Sequence, residues 1–292
     1  MKSESNENPN RMKIRLELKL MRNNWFRNQK NQKDQKIKRI KKNKGSKGYR
    51  KEISVAKRIA EPKFRHELKY LCSAAELKML EVRLQDVMRP DPHTDDTGCY
   101  LIRSTYFDDL YDRCLNENES GVSPREKWRV RIYNCSDRRI SLECKRKEYG
   151  MIQKKSCRIT RDQYEKMIRL EPIPITAENP PLLNRMLLQQ RTQLMQPKVI
   201  VQYLRRPFVC DEGNVRVTFD MNITSSPSFD QFFNKDIPER PVLPKGQHLL
   251  EVKFDEYLPD YIYHAIQMTN MRLETFSKYY LCRTYNLQGY ML

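Results

Sequence analysis

The sequence predicts an α+β domain whose mostly antiparallel sheet curls into a barrel of roughly eight strands, flanked and capped by helices. Three observations lead there. Strand-period segments recur from residue 63 to residue 256 with helical stretches between them. Several are joined by short hairpin-like turns, one of them around Gly150. Nearly every strand also pairs an apolar face with a charged one.

Taken in order, "KFRHELKYL" alternates as a strand. "SAAELKMLEVRLQDVM" follows as an amphipathic helix, with Ser73 as N-cap and Glu76 three residues on, the pattern of a capping box. "YLIRSTYFD", "REKWRVRIYN", "RISLECKRKEY" and "MIQKKSCRIT" read as strands, the last two turning at Gly150. "TRDQYEKMIRL" and "NPPLLNRMLLQQRTQL" read as helices. "KVIVQYLRRPFVC", "NVRVTFDMNITSS" and "HLLEVKFDE" complete the strands. "PDYIYHAIQMT" and "FSKYYLCRTYNL" give the closing helices.

The chain has 292 residues and a formal charge of +19, which asks for an anionic partner. Residues 1–58 hold 20 Lys and Arg against 5 Asp and Glu, a net of +15. That leaves 36 against 32, or +4, for residues 59–292. The first segment is rich in Lys, Asn and Gln and poor in apolar surface, so it is expected to be a disordered basic tail. The folded domain is expected over residues 59–292. Part of the tail, "MKIRLELKLMRNNWF", has the composition of a short helix for an anionic surface.

No apolar run approaches the roughly 18 residues of a membrane-spanning helix, and the N-terminus lacks the apolar core of a secretory signal. A cytoplasmic protein is expected, with the tail or a membrane-protein partner as routes to membrane association. Eight cysteines without C-x-x-C spacing and four histidines without H-E-x-x-H argue against zinc or disulfide frameworks. Nucleic acid is expected only as a non-specific, salt-sensitive ligand of the tail.

The second face of the strands carries the functional signal. In "KWRVRIY", Lys127, Arg129, Arg131 and Tyr133 share one face, opposite Trp128, Val130 and Ile132. The same test groups Arg65, Glu67 and Lys69; Glu143, Lys145 and Lys147; Lys154, Ser156 and Arg158; Tyr203 and Arg205; Arg216, Thr218 and Asp220; and Glu251 and Lys253. If the apolar faces pack outward against helices, the charged faces line a closed interior. Unpaired cations there would be costly. Glu67, Glu143, Asp220 and Glu251 compensate some of them and offer oxygen ligands to a divalent cation. A row of phosphates fits the remainder, because Arg forks and Lys ammoniums bind phosphate oxygens.

These segments resemble a known family. "FRHELKY", "STYFDD", "KWRVRIY", "LECKRK", "QYLRRPF", "VRVTFD", "LEVKF" and "FSKYY" occur in the order and approximate spacing of the VTC domain, the polyphosphate polymerase branch of the triphosphate tunnel (CYTH-like) enzymes. The resemblance covers about residues 60–290. The chain resembles the bacterial stand-alone form, so the SPX and transmembrane regions of eukaryotic relatives are not expected.

It implies an antiparallel tunnel in which the γ-phosphoryl of ATP passes to a growing polyphosphate chain with Mn²⁺ or Mg²⁺. By motif, the implied catalytic residues are Lys69, Arg129, Arg131, Lys145, Lys154, Arg205, Arg216 and Lys278. Tyr203, Ser277, Arg65, Lys147, Lys155 and Lys253 complete the implied substrate-binding set. Glu251, with Glu143 and Glu67, is the implied metal set. In "QKKS", strand alternation favours Lys154, whereas adjacency to Ser156 resembles the family pattern with Lys155. Ser277 also stands where a helix cap would. Tyr106, Phe107 and Asp108 match the family without a role beyond structure.

Two other functions remain open. Tunnel enzymes of the CYTH branch hydrolyse triphosphate and carry an E-x-E-x-K strand; here Arg65 replaces the first carboxylate of that pattern, which argues against hydrolysis. A non-catalytic subunit that binds polyphosphate or inositol phosphates is the other.

Overall fold

A computed structural model of the chain describes residues 64–268 and 273–288; the tail expected over residues 1–58 lies outside them. Strand β1 (His66–Ser73) runs into helix α1 (Ala74–Val87) through the expected capping box. Ser73 Oγ accepts from the Glu76 N–H at 3.2 Å and Glu76 Oε2 accepts from the Ser73 N–H at 2.7 Å. Two donors that the first helical turn leaves without intrahelical acceptors are thereby satisfied.

A two-residue β2 (Arg89–Pro90) precedes β3 (Tyr100–Asp108), a short α2 (Arg113–Glu119), β4 (Arg125–Tyr133), β5 (Ser136–Glu148) and β6 (Met151–Ile159). Left-handed Tyr149 and Gly150 make the β5–β6 turn, the conformation that a tight two-residue hairpin requires. Helices α3 (Arg161–Arg169) and α4 (Pro181–Gln193) come next. Then follow β7 (Gln196–Cys210), β8 (Val215–Ser226), β9 (Arg240–Pro241), β10 (Gln247–Phe254), α5 (Asp260–Ile266) and α6 (Lys278–Gln288). Sequence periodicity did not reveal α2, whose seven residues carry no apolar repeat long enough to register.

The eight long strands form one antiparallel sheet in the order β1-β10-β8-β7-β3-β4-β5-β6. It curls until its two edges meet. Arg65 and Ile152 exchange backbone hydrogen bonds of 2.9 and 3.1 Å across the seam. Beyond that bridge the free edge of β1 is taken by the segment leading into α6, where the Glu274 N–H donates to Lys69 O at 2.9 Å. The same strand that contributes Lys69 therefore sets where α6 begins.

Packing on the outside follows the apolar alternation. Trp128, Val130 and Ile132 of β4 bury against Tyr164 and Met167 of α3 and Leu183 and Met186 of α4. Val217 and Phe219 of β8 and Leu250 and Val252 of β10 bury against Leu77, Leu80 and Leu84 of α1 and Ile262 of α5.

The inside departs from expectation in one respect. One end of the lumen is apolar, where Tyr106, Val199, Val201, Tyr203 and Leu249 meet Tyr279 and Cys282 of α6. The charged interior therefore occupies only part of the barrel, and α6 seals it, because a helix with apolar side chains inserts more cheaply than unpaired charge would.

Candidate functional site

Alternation on β4 aims Lys127, Arg129 and Arg131 inward. Arg129 grips Glu143 of β5 with Nε at 2.7 Å and Nη2 at 2.6 Å, and its Nη1 donates to the Tyr106 hydroxyl at 2.9 Å. Lys154 Nζ reaches the other oxygen of Glu143 at 2.8 Å. Arg131 has a different environment. Its Nε donates to Ser104 Oγ and its Nη2 to the Tyr203 hydroxyl, each at 3.1 Å, and it enters none of the ion pairs among the described residues.

Opposite lie the strands β1, β10, β8 and β7. Lys145 spans the seam to Glu67 at 2.9 and 3.0 Å. Lys69 lies 3.1 Å from Glu67 and donates to Phe276 O at 2.7 Å. Arg205 holds both oxygens of Asp220 at 2.6 Å. Glu251 receives Lys253 at 2.6 Å, Lys278 at 2.7 Å and Arg205 at 3.3 Å. Arg216 pairs with Asp91 at 2.6 Å and donates to the Tyr100 hydroxyl at 2.7 Å.

Two cavities run through this lumen. A narrow one of about 70 Å³ ends at Ser277, Lys278 and Tyr279 of the α6 end. A wide one of about 770 Å³ opens past Arg216, Arg138 and Arg139. Both border Arg129, Arg131, Lys145, Arg205 and Lys253. These five cations form the ring where the cavities meet.

Burial and charge oppose one another at each group. Burial alone would raise Glu67 and Glu251, yet Lys145 and Lys69 around the first, and Lys253 and Lys278 around the second, hold both carboxyls well below the usual range. Glu143 is likewise held down by Arg129 and Arg131 against its burial. For Lys145, burial outweighs Glu67 and pushes the lysine down to about 8. The wall is thus a set of ionised carboxylates outnumbered by cations.

Most of the sequence-predicted residues meet here: Lys69, Arg129, Arg131, Lys145, Tyr203, Arg205, Lys253, Ser277, Lys278 and Glu251 line the narrow cavity, while Glu67, Lys154 and Arg216 line the wide one. Arg65 sits at the wide mouth, ion-paired with Asp255 at 2.8 Å. Lys147 shares the face of Lys145 and is lowered first by burial and then by the charge of Arg125. Lys155 is a correction. It pairs in register with Cys144, whose face packs into the outer core, so the two-residue pleat turns it away from the lumen. Ser277 does both things considered for it: its Oγ accepts from the Tyr280 N–H at 3.2 Å as a helix cap and from Lys127 Nζ at 2.7 Å.

Sequence reasoning assigned no site role to five participants. Lys127 was visible on the face of Arg129. Tyr106 and Tyr100 alternate inward with Ser104 on β3, but their aromatic character reads as core. Asp91 lies in a loop, where no periodicity points to it. Asp108, at the end of β3, accepts from the Cys114 and Leu115 N–H groups of α2 at 2.9 Å and from the Tyr279 hydroxyl at 2.6 Å. It tethers α6, and with it Lys278, to the barrel.

The donor set bears on a metal. Among the described residues no group of three carboxylate, histidine or cysteine side chains gathers as a cage. Glu251 and Glu67 do face one lumen with cations on every side. That arrangement fits a hard divalent cation held by one or two carboxylates and completed by phosphate oxygens; it does not fit a cage built from protein alone.

Residues 64–285 match the VTC domain. The chain belongs to the VTC domain family. The match spans all eight strands of the VTC sheet and most of α6. No curated protein matches. Among solved structures, an adenylate-cyclase-like chain from Bacillus halodurans is 12% identical, with a TM-score of 0.42, covering 71% of this chain and 88% of that one. The PH1012 protein from Pyrococcus horikoshii is 12% identical with a TM-score of 0.36, covering 69% and 85%. The Mimivirus capping enzyme triphosphatase is 8% identical with a TM-score of 0.33, covering 77% and 99%. As a VTC domain with a polycationic lumen, this protein has a polyphosphate- or triphosphate-related function. Among the described residues no helix is long and apolar enough to cross a membrane.

Proposed function

We propose that the protein is an ATP-dependent polyphosphate polymerase, which transfers the γ-phosphoryl of ATP to the end of an inorganic polyphosphate chain inside the tunnel. The observation that supports it is the ring of Arg129, Arg131, Lys145, Arg205 and Lys253, five cations from four strands around one enclosed passage. A linear polyanion fills such a passage, and the surplus of cations over carboxylates gives its charge a partner.

Phosphoryl transfer passes through a loose transition state with charge spread over equatorial oxygens, so positioning and electrostatics supply most of the catalysis. The terminal oxygen of the polyphosphate attacks the γ-phosphorus, a new P–O bond forms, the bond to the β-phosphate oxygen breaks, and ADP leaves with that electron pair. No protein nucleophile is needed. Arg129, Arg131 and Arg205 take up charge on the transferred group. Their partners Glu143, Tyr203 and Asp220 fix the guanidinium planes beforehand, so little reorganisation is required at the moment of reaction. Lys278, tied to Glu251 and Asp220, closes the far end. Mn²⁺ or Mg²⁺, when bound with the phosphates, supplies further neutralisation of their oxygens; Glu251, aided by Glu67, would hold it. Nucleotide entry from the wide mouth suits the larger cavity there.

Incubating the purified protein with ATP and Mn²⁺ tests the reading. Polyphosphate and ADP are the expected products. Free phosphate without polymer would favour triphosphate hydrolysis, against which Arg65 speaks: it is paired with Asp255 and occupies the place of the first carboxylate of E-x-E-x-K. Tight polyphosphate binding with no turnover of ATP would favour the non-catalytic subunit.

A further inference from the structure

At the narrow end of the tunnel one lysine differs from its neighbours. Lys69, Lys145, Lys154, Lys253 and Lys278 each pair with a carboxylate. Lys127 enters no ion pair among the described residues. Its Nζ donates to Ser277 Oγ at 2.7 Å and to Asn118 Oδ1, and lies 6.0 Å from the centre of the Tyr279 ring. It borders the narrow cavity.

The groups that face it do not compensate its charge. Lys69 comes from β1, Lys145 from β5, Arg125 from its own strand and Lys278 from α6. Cys114 of α2 is pushed up by burial and stays a neutral thiol, and Tyr279 is pushed up by burial and by Asp108. An enclosed ammonium with neutral acceptors on two sides and like charges on the others has a place for an anion.

We propose that Lys127 is a further binding residue of the tunnel, one that receives the phosphate reaching the α6 end, with Asn118 and Ser277 aiming its ammonium into the narrow cavity. Burial, and after it the charges of Lys69, Lys145 and Arg125, push Lys127 down to about 7. The empty tunnel therefore holds it partly neutral near neutral pH. An adjacent phosphate favours the ammonium, so binding takes up a proton, and affinity falls as pH rises. Lys145, pushed down to about 8, titrates nearby, so substitution at 127 is needed to separate the two. The inference rests on the polyanion reading of the tunnel and is independent of whether ATP is turned over.

The test is calorimetric binding of tripolyphosphate to the full chain, without metal or ATP, at about pH 6.5 and about pH 8.5, in buffers of differing ionisation enthalpy. Lys127→Met should weaken binding roughly 10- to 100-fold at the lower pH, the loss expected for one charge-assisted contact. It should weaken binding less at the higher pH and take up fewer protons than the wild type. Lys127→Arg, charged throughout, should bind tightly at both pH values with the same reduction in proton uptake. Wild-type proton uptake in the Arg variant would overturn the proposal, even if the Met variant failed to fold. So would a Met variant whose affinity loss is equal at both pH values. Failure of the ATP assay with these shifts intact would remove the polymerase reading and leave Lys127 as a binding residue.

Discussion

Lys278 Nζ lies 2.7 Å from Glu251 Oε1, joining the first residue of α6 to the middle of β10 inside the tunnel. The same carboxylate faces Lys253, Arg205 and, at 3.9 Å, Lys69. One side chain thus holds together cations from its own strand and three other elements. Without a ligand it is the counter-ion that makes their proximity tolerable.

Glu251→Gln should therefore act on stability and catalysis in different ways. Removing one partner of a buried ionic group costs roughly 3 kcal/mol or more, which for a domain of this size lowers Tm by roughly 6–12 °C. Tripolyphosphate should restore most of that loss by replacing the missing negative charge, while metal-dependent turnover stays at least about a hundredfold down. A thermal scan with and without tripolyphosphate, beside the ATP assay, checks both halves. An unchanged Tm would contradict the role given to Glu251.

Metal retention follows from the donor set. With two carboxylates at most and no three-ligand cage among the described residues, the protein should hold no Mn²⁺ through dialysis by itself. It should retain Mn²⁺ once a non-hydrolysable triphosphate is present. Paramagnetic titration of Mn²⁺ with and without the triphosphate distinguishes the two states. Tight binding by the protein alone would count against the shared site.

Arg131 offers the reverse case to Glu251. It is buried, its hydrogen-bond partners are the neutral Ser104 and Tyr203 hydroxyls, and the carboxylate nearby, Glu143, is already ion-paired with Arg129 and Lys154. Arg131→Met should leave the empty protein as stable as the wild type or more so, since the guanidinium removed has no ion pair of its own among the described residues and Glu143 keeps Arg129 and Lys154 as counter-ions. Tripolyphosphate affinity should drop roughly 10- to 100-fold. Chemical denaturation and calorimetric binding on the same variant measure the two effects, and loss of both stability and binding would point to a structural residue instead.

The pH dependence of stability has a definite sign. Lys127 falls to about 7 and Lys145 to about 8 from 10.5, so above pH 7 the unfolded chain binds more protons than the folded one. Stability of the empty protein should rise between about pH 7 and pH 9. Above that range the buried thiols act oppositely, because Cys72 and Cys144 are pushed up to about 12. On the acid side Glu67, Glu143 and Glu251 are held down by their cations. The stability they contribute is present above the ordinary carboxylate range and is lost as pH falls through and below it. Saturating tripolyphosphate should flatten the rise between pH 7 and pH 9, and a Tm series with and without ligand reads the difference.

Much of this was legible in the chain. Alternation alone divided Lys127, Arg129 and Arg131 from Trp128, Val130 and Ile132, because a pleated strand must send neighbouring side chains to opposite faces whatever the rest of the fold does. It also separated Lys154 from Lys155, and the Ser73–Glu76 pair fixed the start of α1. Local covalent geometry dictates each of these, so the sequence determined which residues could share a wall.

What the sequence could not determine is which walls face each other and how far the charge extends. The Lys145–Glu67 contact crosses the seam between strands at opposite ends of the sheet. Entry of α6, held through Tyr279 by Asp108, makes one end of the interior apolar and leaves Lys127 against Ser277, 150 residues away. Those relationships depend on the curl of the whole sheet and the docking of its last helix. No local pattern records them, because the energy of an enclosed charge depends on every group surrounding it.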